Sequence, residues 1–352
     1  MSVTTHERPG VYSEYDASSV VQGRQGRKMV GMAAIHATAP AGVPQTVTSY
    51  EGALIAFGST GGQDMTELIR LALKNGAAGV VAVPVADEEG YEAAFAALAA
   101  MDDIGVVICD SVDREVQQSL RDSAAAASAA RRERIAVAAG GAGETVTELL
   151  ERAKALNSER VVLVAPGGTD EEGKAVSGLS LAAAVAGAIA GTTDPALPLG
   201  GAVLSGLYGL ETTYGDNDQD LLIRGGVTPA ERTGGVTSVV RGVTTRTTTD
   251  GTADTTWREL STILVVDDVI PGVREALRAR FPRAKNTAQT RGAVQSLVVE
   301  VLERKLAAEV ITGYDAVEVT ALADEPGICL VTFGFTVTHG MDQIWLSAEV
   351  TV

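Results

Sequence analysis

The stretch HGMDQIWLSAEVTV, residues 339–352, alternates apolar and polar positions. Ile344, Leu346, Ala348, Val350 and Val352 fall on one face of an extended chain. A period of two residues is typical of a β-strand with one buried face. We therefore predict a strand here, and such a strand needs a partner sheet, either in this chain or in another copy.

Between residues 29 and 190, apolar runs alternate with segments of helical periodicity. The predicted strands are Met29–Ile35, Gly79–Val85, Ile104–Cys109, Arg134–Ala139 and Val161–Ala165. The predicted helices are Tyr50–Phe57, Met65–Lys74, Glu88–Ala100, Val112–Ala130, Thr145–Leu156 and Ser177–Ala190. Continuous apolar strands separated by helices indicate an α/β fold, with a mostly parallel sheet covered on both faces.

The pattern changes after residue 192. Gly, Thr and Pro are dense, long helical patterns are missing, and Val236–Val243 and Thr244–Thr248 resemble strands around a turn. Asp250-Gly251 is a tight-turn signal. We interpret residues 192–256 as a loop-rich connector that closes an outer α/β domain, 28–256.

Residues 257–338 predict a compact α+β domain. Its predicted elements are a strand at Leu260–Val266, helices at Ile270–Phe281 and Arg291–Ala308, and strands at Ala316–Leu322 and Ile328–Thr338. The turn Asp324-Glu325-Pro326-Gly327 joins the last two strands. Residues 1–27 lack core periodicity and predict an extended arm, and 339–352 form the terminal strand.

Composition narrows the function classes. Charged residues are 21% of the chain and the net charge is −17. Nucleic acid is therefore not expected as a partner, because phosphate binding needs a cationic surface. We find no signal-peptide pattern and no run long enough to span a membrane. Cys109 and Cys329 lie in apolar runs and are expected to be buried free thiols, with a disulfide as the alternative.

Three motifs resemble ligand loops but miss key positions. Gly168 to Lys174 has the spacing of a phosphate loop, yet Ala175 replaces the hydroxyl residue that holds magnesium. Gly140-Gly141-Ala142-Gly143 lacks the third glycine of a dinucleotide loop. Asp216 to Asp220 alternates like a calcium loop, yet lacks its glycine and closing glutamate, so a solvated loop is favoured. We predict no cofactor and no metal.

A catalytic triad has little support in the residues. The three histidines are His6, His36 and His339. His36 and Asp110 both follow predicted strands and would lie at one edge of the sheet. The chain has no G-x-S-x-G elbow, and Ser205 is the best available serine. We therefore predict no catalytic residue.

One charge asymmetry remains. Residues 274–305 contain eight cations and three anions within a strongly acidic chain. The alternatives are solvated helix faces or a basic surface that docks on an acidic partner protein.

Several segments together carry a family resemblance. They are Arg8-Pro9-Gly10-Val11-Tyr12, Gly225-Gly226-Val227-Thr228-Pro229, Val239 to Thr245, Trp257-Arg258-Glu259-Leu260, Phe281 to Thr287 and Met341 to Val352. In this order and spacing they resemble the tail sheath proteins of contractile phage tails and related contractile particles. The family often has an Arg before the Asp of its carboxy-terminal segment, whereas here Val265-Val266-Asp267-Asp268 stands.

The resemblance implies a structural polymer rather than an enzyme. The outer domain would have a subtilisin-like layout without protease function. Subunits would form hexameric rings stacked around an inner tube, and contraction would drive the tube through a cell envelope. Baseplate and terminator proteins would be further partners, without nucleic acid or membrane insertion. The chain would be made in the host bacterial cytoplasm and assembled into a virion tail or injection particle.

The resemblance also implies roles for single residues. Both chain ends would join sheets of neighbouring copies, through Pro9, Val11, Tyr12, Ile344, Trp345, Leu346, Val350 and Val352. The expected hinges are Gly23, Gly26 and Gly340. The expected tube-facing cations are Arg274, Arg278, Arg283 and Lys285.

Two other interpretations stay open at this point. One is a soluble α/β enzyme that uses the carboxyl edge of its sheet near Asp110 and Pro166. The other is a monomeric binding protein with two lobes.

Overall fold

A computed structural model describes residues 28–341 and 344–348. The described residues divide into two compact units. The larger contains residues 28–193, 197–263 and the described residues beyond 339. The smaller contains residues 194–196 and 264–339.

A nine-stranded sheet forms the centre of the larger unit. The strands of this unit are β1 (Met29–Ile35), β2 (Gln45–Val47), β3 (Val80–Val85), β4 (Ile104–Cys109), β5 (Ile135–Ala139), β6 (Val161–Ala165), β7 (Gly168–Thr169), β8 (Ala175–Val176), β9 (Val203–Leu204), β10 (Gly209–Leu210), β11 (Val227–Thr233), β12 (Val236–Val239), β13 (Thr248–Thr249) and β14 (Thr252–Ala253). The sheet order is β9-β12-β11-β6-β5-β4-β1-β3-β2.

Six of these strands, from β11 to β3 in the sheet order, run parallel to one another. The edge strand β2 and the pair β9 and β12 are antiparallel to their neighbours. The predicted α/β fold with a mostly parallel sheet is therefore confirmed. Strands β3 to β6 are buried at every position, as expected where helices cover both faces.

Helices cover both faces of the sheet. They are α1 (Tyr50–Phe57), α2 (Met65–Lys74), α3 (Tyr91–Ala99), α4 (Arg114–Ala129), α5 (Val146–Leu156), α6 (Leu179–Gly191) and α7 (Asp216–Arg224). Helices α3, α4, α5 and α7 contribute to one continuous core, through Phe95, Leu120, Leu149 and Leu222 among others. Helix α6 is buried along most of its length. It packs against α2 and against the opposite face of the sheet.

Local sequence explains where these helices begin. Thr145 and Glu148 form a reciprocal capping box at the start of α5. Asp64 caps α2 and Asp113 caps α4, each accepting hydrogen bonds from main-chain N–H groups of the first turn. The predicted helix limits in this region agree with the observed ones to within three residues.

The interpretation of residues 192–256 as a loop-rich connector is wrong. This stretch supplies β9, β11 and β12 to the main sheet and also forms α7. Val227 of β11 pairs with Leu163 of β6 in parallel register. The tight turn at Asp250-Gly251 is confirmed, since it joins β13 to β14 with φ of 49° and 77°.

The smaller unit contains two long helices and two small sheets. Helix α8 (Leu260–Arg280) begins in the larger unit and continues into the smaller one, and α9 (Ala288–Ala307) follows it. The strands are β15 (Ile311–Tyr314), β16 (Glu318–Ala321), β17 (Cys329–Thr332) and β18 (Phe335–Val337). β15 pairs with β18, and β16 pairs with β17, both antiparallel.

Three predictions about residues 260–338 are wrong. The predicted strand Leu260–Val266 is the first part of α8, which contains Pro271. The predicted strand Ile328–Thr338 is two strands separated at Phe333 and Gly334, and β15 was not predicted. Cys329 is exposed rather than buried, whereas Cys109 is buried as expected, and both are free thiols.

Candidate functional site

His36 has both ring nitrogens bonded to the main chain. Its Nδ1 accepts a hydrogen bond from the Ala39 N–H at 2.9 Å, so the proton resides on Nε2, which donates to the Phe57 carbonyl at 2.8 Å. The Phe57 ring packs edge-on against the imidazole. His36 therefore fixes the chain after β1 and has no nitrogen left for proton transfer.

Asp110 lies beside the end of β1, so the prediction that His36 and Asp110 share one sheet edge is confirmed. Its Oδ2 accepts from the Ile35 N–H at 2.8 Å, and its Oδ1 accepts from the Tyr91 hydroxyl. Burial raises the pKa of the Asp110 carboxyl, while the hydrogen bonds from Tyr91 and Ile35 lower it in part. Burial, and then the Asp110 charge, raise the pKa of the Tyr91 hydroxyl.

Ser205 is not part of this arrangement. Its main-chain N–H donates to Asn75 Oδ1 at 2.8 Å, and its carbonyl accepts from Asn75 Nδ2 at 3.0 Å. Across residues 28–341, no hydrogen bond links His36, Asp110 and Ser205 to one another. The described residues thus contain no triad built from these groups.

The segment with phosphate-loop spacing is a β-hairpin. Gly168 and Thr169 of β7 pair with Val176 and Ala175 of β8. The turn between them is closed by Asp170, whose Oδ1 accepts from the Lys174 N–H at 2.7 Å. A phosphate loop must lead into a helix whose N-terminus faces the anion. This segment lies in a hairpin instead, so its phosphate-loop spacing is a chance match.

The glycines at 140–143 form the turn between β5 and α5, and a carboxylate of the chain itself occupies the turn. Glu211 accepts from the Gly143 N–H at 2.9 Å and from the Gly167 N–H at 3.2 Å. Its negative charge would repel a dinucleotide phosphate placed there. Nearby, the buried Arg152 pairs with Glu144 and donates to the Val112 carbonyl at 2.7 Å. We conclude that this turn is structural.

The acidic motif at Asp216–Asp220 is helical, so its interpretation as a solvated loop is wrong. Asp216 and Asp218 lie in the first turn of α7, where negative charge favours the helix dipole. Asp220 pairs with Arg224 one turn later at 3.0 Å. No cluster of three or more potential metal ligands exists among the residues the structure describes.

The residues predicted to join neighbouring copies are described only in part. Ile344, Trp345 and Leu346 are 74%, 88% and 93% exposed and form no hydrogen-bonded strand within 344–348. Gly340 lies against Pro198, where a Cβ atom would come within 2.7 Å of the proline ring. Pro9, Val11, Tyr12, Gly23, Gly26, Val350 and Val352 lie outside the described residues.

The basic segment, residues 274–305, contains both exposed and buried cations. Arg278, Arg283 and Lys285 are exposed at the end of α8 and in the turn before α9. Arg274 is only 8% exposed, so its place in a docking surface was wrongly predicted. The reason is helical spacing, since Arg274 lies one turn from the buried Ile270 and beside the buried Val273 on α8. Lys305 is also buried and pairs with Asp268.

The two small sheets of the smaller unit have open edges. Each has two strands among the described residues. Val319, Val331, Phe335 and Val337 are only partly buried where they pack on the core of α8 and α9. Two-stranded sheets are marginally stable and gain from further strands. Among the described residues, each strand of these two sheets pairs with one other strand only.

These features define a class: an α/β protein whose distinctive surfaces are suited to joining protein chains. A family model of the phage tail sheath protein central domain matches residues 85–245, and one of the phage tail sheath C-terminal domain matches residues 252–351. The chain belongs to the tail sheath protein family.

A tail sheath protein of Bacillus phage SP01 is 31% identical over 186 residues, which are 51% of this chain and 32% of that protein. This chain thus corresponds to about a third of that relative's length.

Solved sheath structures share the fold. The contracted helical sheath of the anti-feeding prophage aligns with a TM-score of 0.73 and 17% identity over 99% of both chains. The contracted PVC sheath of an extracellular contractile injection system gives 0.70 and 14% over 99% of both. A sheath tail protein from Desulfitobacterium hafniense gives 0.67 and 13%, over 93% of this chain and 100% of that one.

Within the described ranges, no helix has the length and apolar character that a membrane span requires.

Proposed function

We propose that this chain is a structural subunit of a contractile sheath. It polymerises as stacked hexameric rings around an inner tube, and contraction drives the tube through a cell envelope. Baseplate and terminator proteins hold the two ends of the polymer. The proposal assigns the chain no catalytic step and no cofactor, because the extended form is metastable and releases its energy on repacking.

The observation that carries the proposal is the exposed apolar segment Ile344-Trp345-Leu346. Three consecutive large apolar side chains are at least 74% exposed. Fully burying one such side chain stabilises a protein by about 1.5–3 kcal/mol, so a neighbouring copy that covers them gains substantially. An exposed patch of this kind marks a protein interaction site.

Strand addition supplies the mechanism of joining. The terminal segment has the alternation of a strand, and the sheets β15–β18 and β16–β17 have open edges in the described part of the chain. An added strand gains main-chain hydrogen bonds in a fixed register, and alternate side chains give specificity. In the proposal, Pro9, Val11 and Tyr12 of the amino-terminal arm act in the same way.

Contraction is then a switch between two packings of largely rigid bodies. In this proposal the outer α/β domain, with a subtilisin-like layout, changes its contacts between copies, while the carboxy-terminal domain faces the tube. Gly23, Gly26 and Gly340 act as hinges that keep the arms attached. Arg278, Arg283 and Lys285 face the tube.

The terminal strand is tested by charge substitutions on one of its faces. Ile344→Glu with Leu346→Glu places two charges on the face that must be buried, and we expect a folded protein that forms no cylinders in negative-stain electron microscopy. Ala93→Glu with Ala96→Glu is the matched control, because both residues are exposed on α3 outside the terminal segment, and we expect cylinders to persist. Cylinders of normal length from the double variant would refute the proposed role of this strand.

A further inference from the structure

Two glycines at the carboxyl edge of the main sheet present main-chain N–H groups to a single carboxylate. Gly143 follows β5 and Gly167 follows β6, and these neighbouring strands run parallel. The Oε2 atom of Glu211 accepts from the Gly143 N–H at 2.9 Å, and its Oε1 accepts from the Gly167 N–H at 3.2 Å. Open α/β sheets usually bind their ligands at this edge. Here a side chain of the protein itself occupies that position.

The glycines are required for this contact. At Gly167, a Cβ atom would lie 2.8 Å from the Glu211 Cδ and 2.6 Å from the Val176 carbonyl oxygen, so a larger residue would displace the carboxylate. Gly143 has a φ of 70°, which side chains other than glycine rarely adopt. The two positions therefore let the main chain approach an anion closely, as in other turns whose N–H groups bind anions.

The carboxylate of Glu211 is bound by peptide N–H groups rather than by a cation. Within the described chain, Glu211 belongs to no ion pair. Glu144 pairs with Arg152 beside the same turn, and the Glu144 charge disfavours a dianion such as phosphate there. The site is therefore suited to one planar monoanion, which is a carboxylate.

A buried hydroxyl within electrostatic range of Glu211 has no partner. The Tyr214 Oη is buried and makes no hydrogen bond to any described residue. Burial, and then the Glu211 charge, raise the pKa of Tyr214 to about 12, so the hydroxyl keeps its proton at neutral pH. A buried donor without a partner costs free energy. This donor remains available to a carboxylate that enters the region.

The same contact fixes one end of the segment 205–211. The Glu211 N–H donates to the Gly167 carbonyl at 3.0 Å, so main chain and side chain both bind there. The other end is held by Asn75, the C-cap residue of α2, whose Oδ1 accepts from the Ser205 N–H at 2.8 Å. The segment is thus attached to α2 at one end and to the carboxyl edge of the sheet at the other.

We propose that the Gly143 and Gly167 N–H groups form a carboxylate-binding site and that Glu211 is its ligand within the native chain. Removal of the Glu211 side chain then opens the site to a free monocarboxylate such as formate. While Glu211 is bound, the same edge is closed to anions from solution. The site acts within one subunit, so its operation does not depend on assembly into a sheath.

Chemical rescue tests the site in the full-length chain. Glu211→Ala is expected to have a lower Tm than wild type, and sodium formate is expected to raise that Tm by about 3 °C more than sodium chloride at the same ionic strength. Phosphate should act like chloride. In wild type, where Glu211 fills the site, formate and chloride should also act alike. Glu171→Ala is the matched control, since Glu171 is exposed on the neighbouring hairpin and accepts from the Tyr208 hydroxyl, and formate should not rescue it.

Hydrogen exchange resolved to single amides locates the bound anion. We expect the Gly143 and Gly167 amides to exchange about ten times faster in Glu211→Ala, and formate to reverse most of this change. Equal effects of formate and chloride on the Tm of Glu211→Ala would overturn the inference. Rescue by formate without slower exchange at these two amides would also overturn it, because the anion would then bind elsewhere.

A second variant covers the case in which Glu211→Ala does not fold. In Glu211→Gln the amide nitrogen cannot accept a hydrogen bond, so one of the two glycine amides should exchange faster than in wild type. Unchanged exchange at both amides would overturn the carboxylate site. Cylinder formation by wild type tests the proposed function separately, so failure of either proposal is distinguishable from failure of the other.

Discussion

Asp64 shows how one carboxylate organises a chain segment before a helix begins. It accepts hydrogen bonds from the Glu67 N–H at 2.8 Å, the Thr60 N–H at 2.7 Å, the Gly61 N–H at 3.1 Å and the Ser59 hydroxyl at 2.8 Å. Burial would raise its pKa, but these hydrogen bonds outweigh burial and hold the pKa below its usual value of 3.8.

We predict that Asp64→Asn destabilises the larger unit by about 1 kcal/mol at pH 7, because the amide nitrogen cannot accept from Thr60, Gly61 and Ser59. A depressed folded-state pKa stabilises the fold above the unfolded value of 3.8, and this contribution disappears as the pH falls through the folded value. The difference in the free energy of unfolding between wild type and variant should therefore vanish in strong acid.

Urea unfolding at pH 7 and at pH values below 3.8 measures this difference. Asp122→Asn is the control, since Asp122 is 67% exposed and pairs only with the adjacent Arg121 in the described chain. Its effect should stay within about 0.5 kcal/mol at both pH values. A constant deficit for Asp64→Asn across the pH range would contradict the assignment.

The role of a residue was predictable where it depended on local pattern. The sheet edge shared by His36 and Asp110 followed from strand order in the sequence. The burial of Arg274 did not follow, because a charged residue was assigned to the surface by its type rather than by its place on α8. The anchoring of the glycine turn by Glu211 was also missed, because 68 residues separate Glu211 from Gly143.

In helix α8, the conformational propensities of the residues and the spacing of the apolar positions predict different secondary structures. Its start is rich in β-branched residues and its middle contains proline, which together favour a strand followed by a helix. Yet the buried residues Ile263, Val266, Ile270, Val273 and Leu277 recur every three or four positions. That spacing was available in the sequence and indicates one continuous helix.

The ion pair between Lys305 of α9 and Asp268 of α8 joins the two helices, and we predict how much stability is lost when it is broken. Both side chains are at most 10% exposed. Lys305→Met leaves the Asp268 carboxylate buried without its partner, and we expect a loss of about 3–5 kcal/mol in the stability of the smaller unit. Native-state hydrogen exchange of the α8 and α9 amides measures this loss.

The neighbouring residue supplies the matched control. Arg304 pairs with Glu300 at 2.7 Å, but both side chains are at least 60% exposed. Arg304→Met should therefore change stability by less than about 1 kcal/mol. The double variant Lys305→Met with Asp268→Leu should recover most of the loss, because it removes both buried charges. Equal effects for the two single variants would rule out a special role for the buried pair.

Across the whole molecule, the chain is strongly acidic but carries one cluster of exposed cations, and such a cluster is suited to binding an acidic protein surface. The chain carries a net charge of −17, yet Arg278, Arg280, Arg283 and Lys285 are exposed within eight residues of sequence. We predict that Arg278→Glu with Arg283→Glu weakens binding to the tube protein at least tenfold, while the sheath still polymerises alone. Binding by wild type should also weaken with added salt, because exposed charges are screened.

Co-sedimentation of sheath with purified tube protein measures this effect. Arg224→Glu is the control, since Arg224 is 72% exposed on α7 outside the basic segment, and binding should be unchanged. Unaltered co-assembly of the double variant with the tube would remove the basic segment from the interface.

For the molecule as a whole, the sequence predicted the fold class and the family. Both depend on patterns within short stretches of sequence, namely the periodicity of strands and helices and the order of the motifs. It did not predict that residues 203–239 complete the main sheet. β11 consists of the sequence VTPAERT, which contains proline and charge and lacks strand alternation. Its pairing with β6 is a long-range contact that no short window contains.

The strand order has a consequence for synthesis on the ribosome. β6 ends at residue 165, but its neighbour β11 begins at residue 227 and the sheet is complete only after β12 ends at residue 239. At about 5–20 residues per second, the open edge of β6 waits roughly 3–14 s until β11 is complete at residue 233. During that interval the nascent chain presents a wholly apolar strand, paired with β5 on one side only, to other nascent chains on the same message. The translation rate between residues 166 and 239 therefore sets the time during which premature pairing competes with folding.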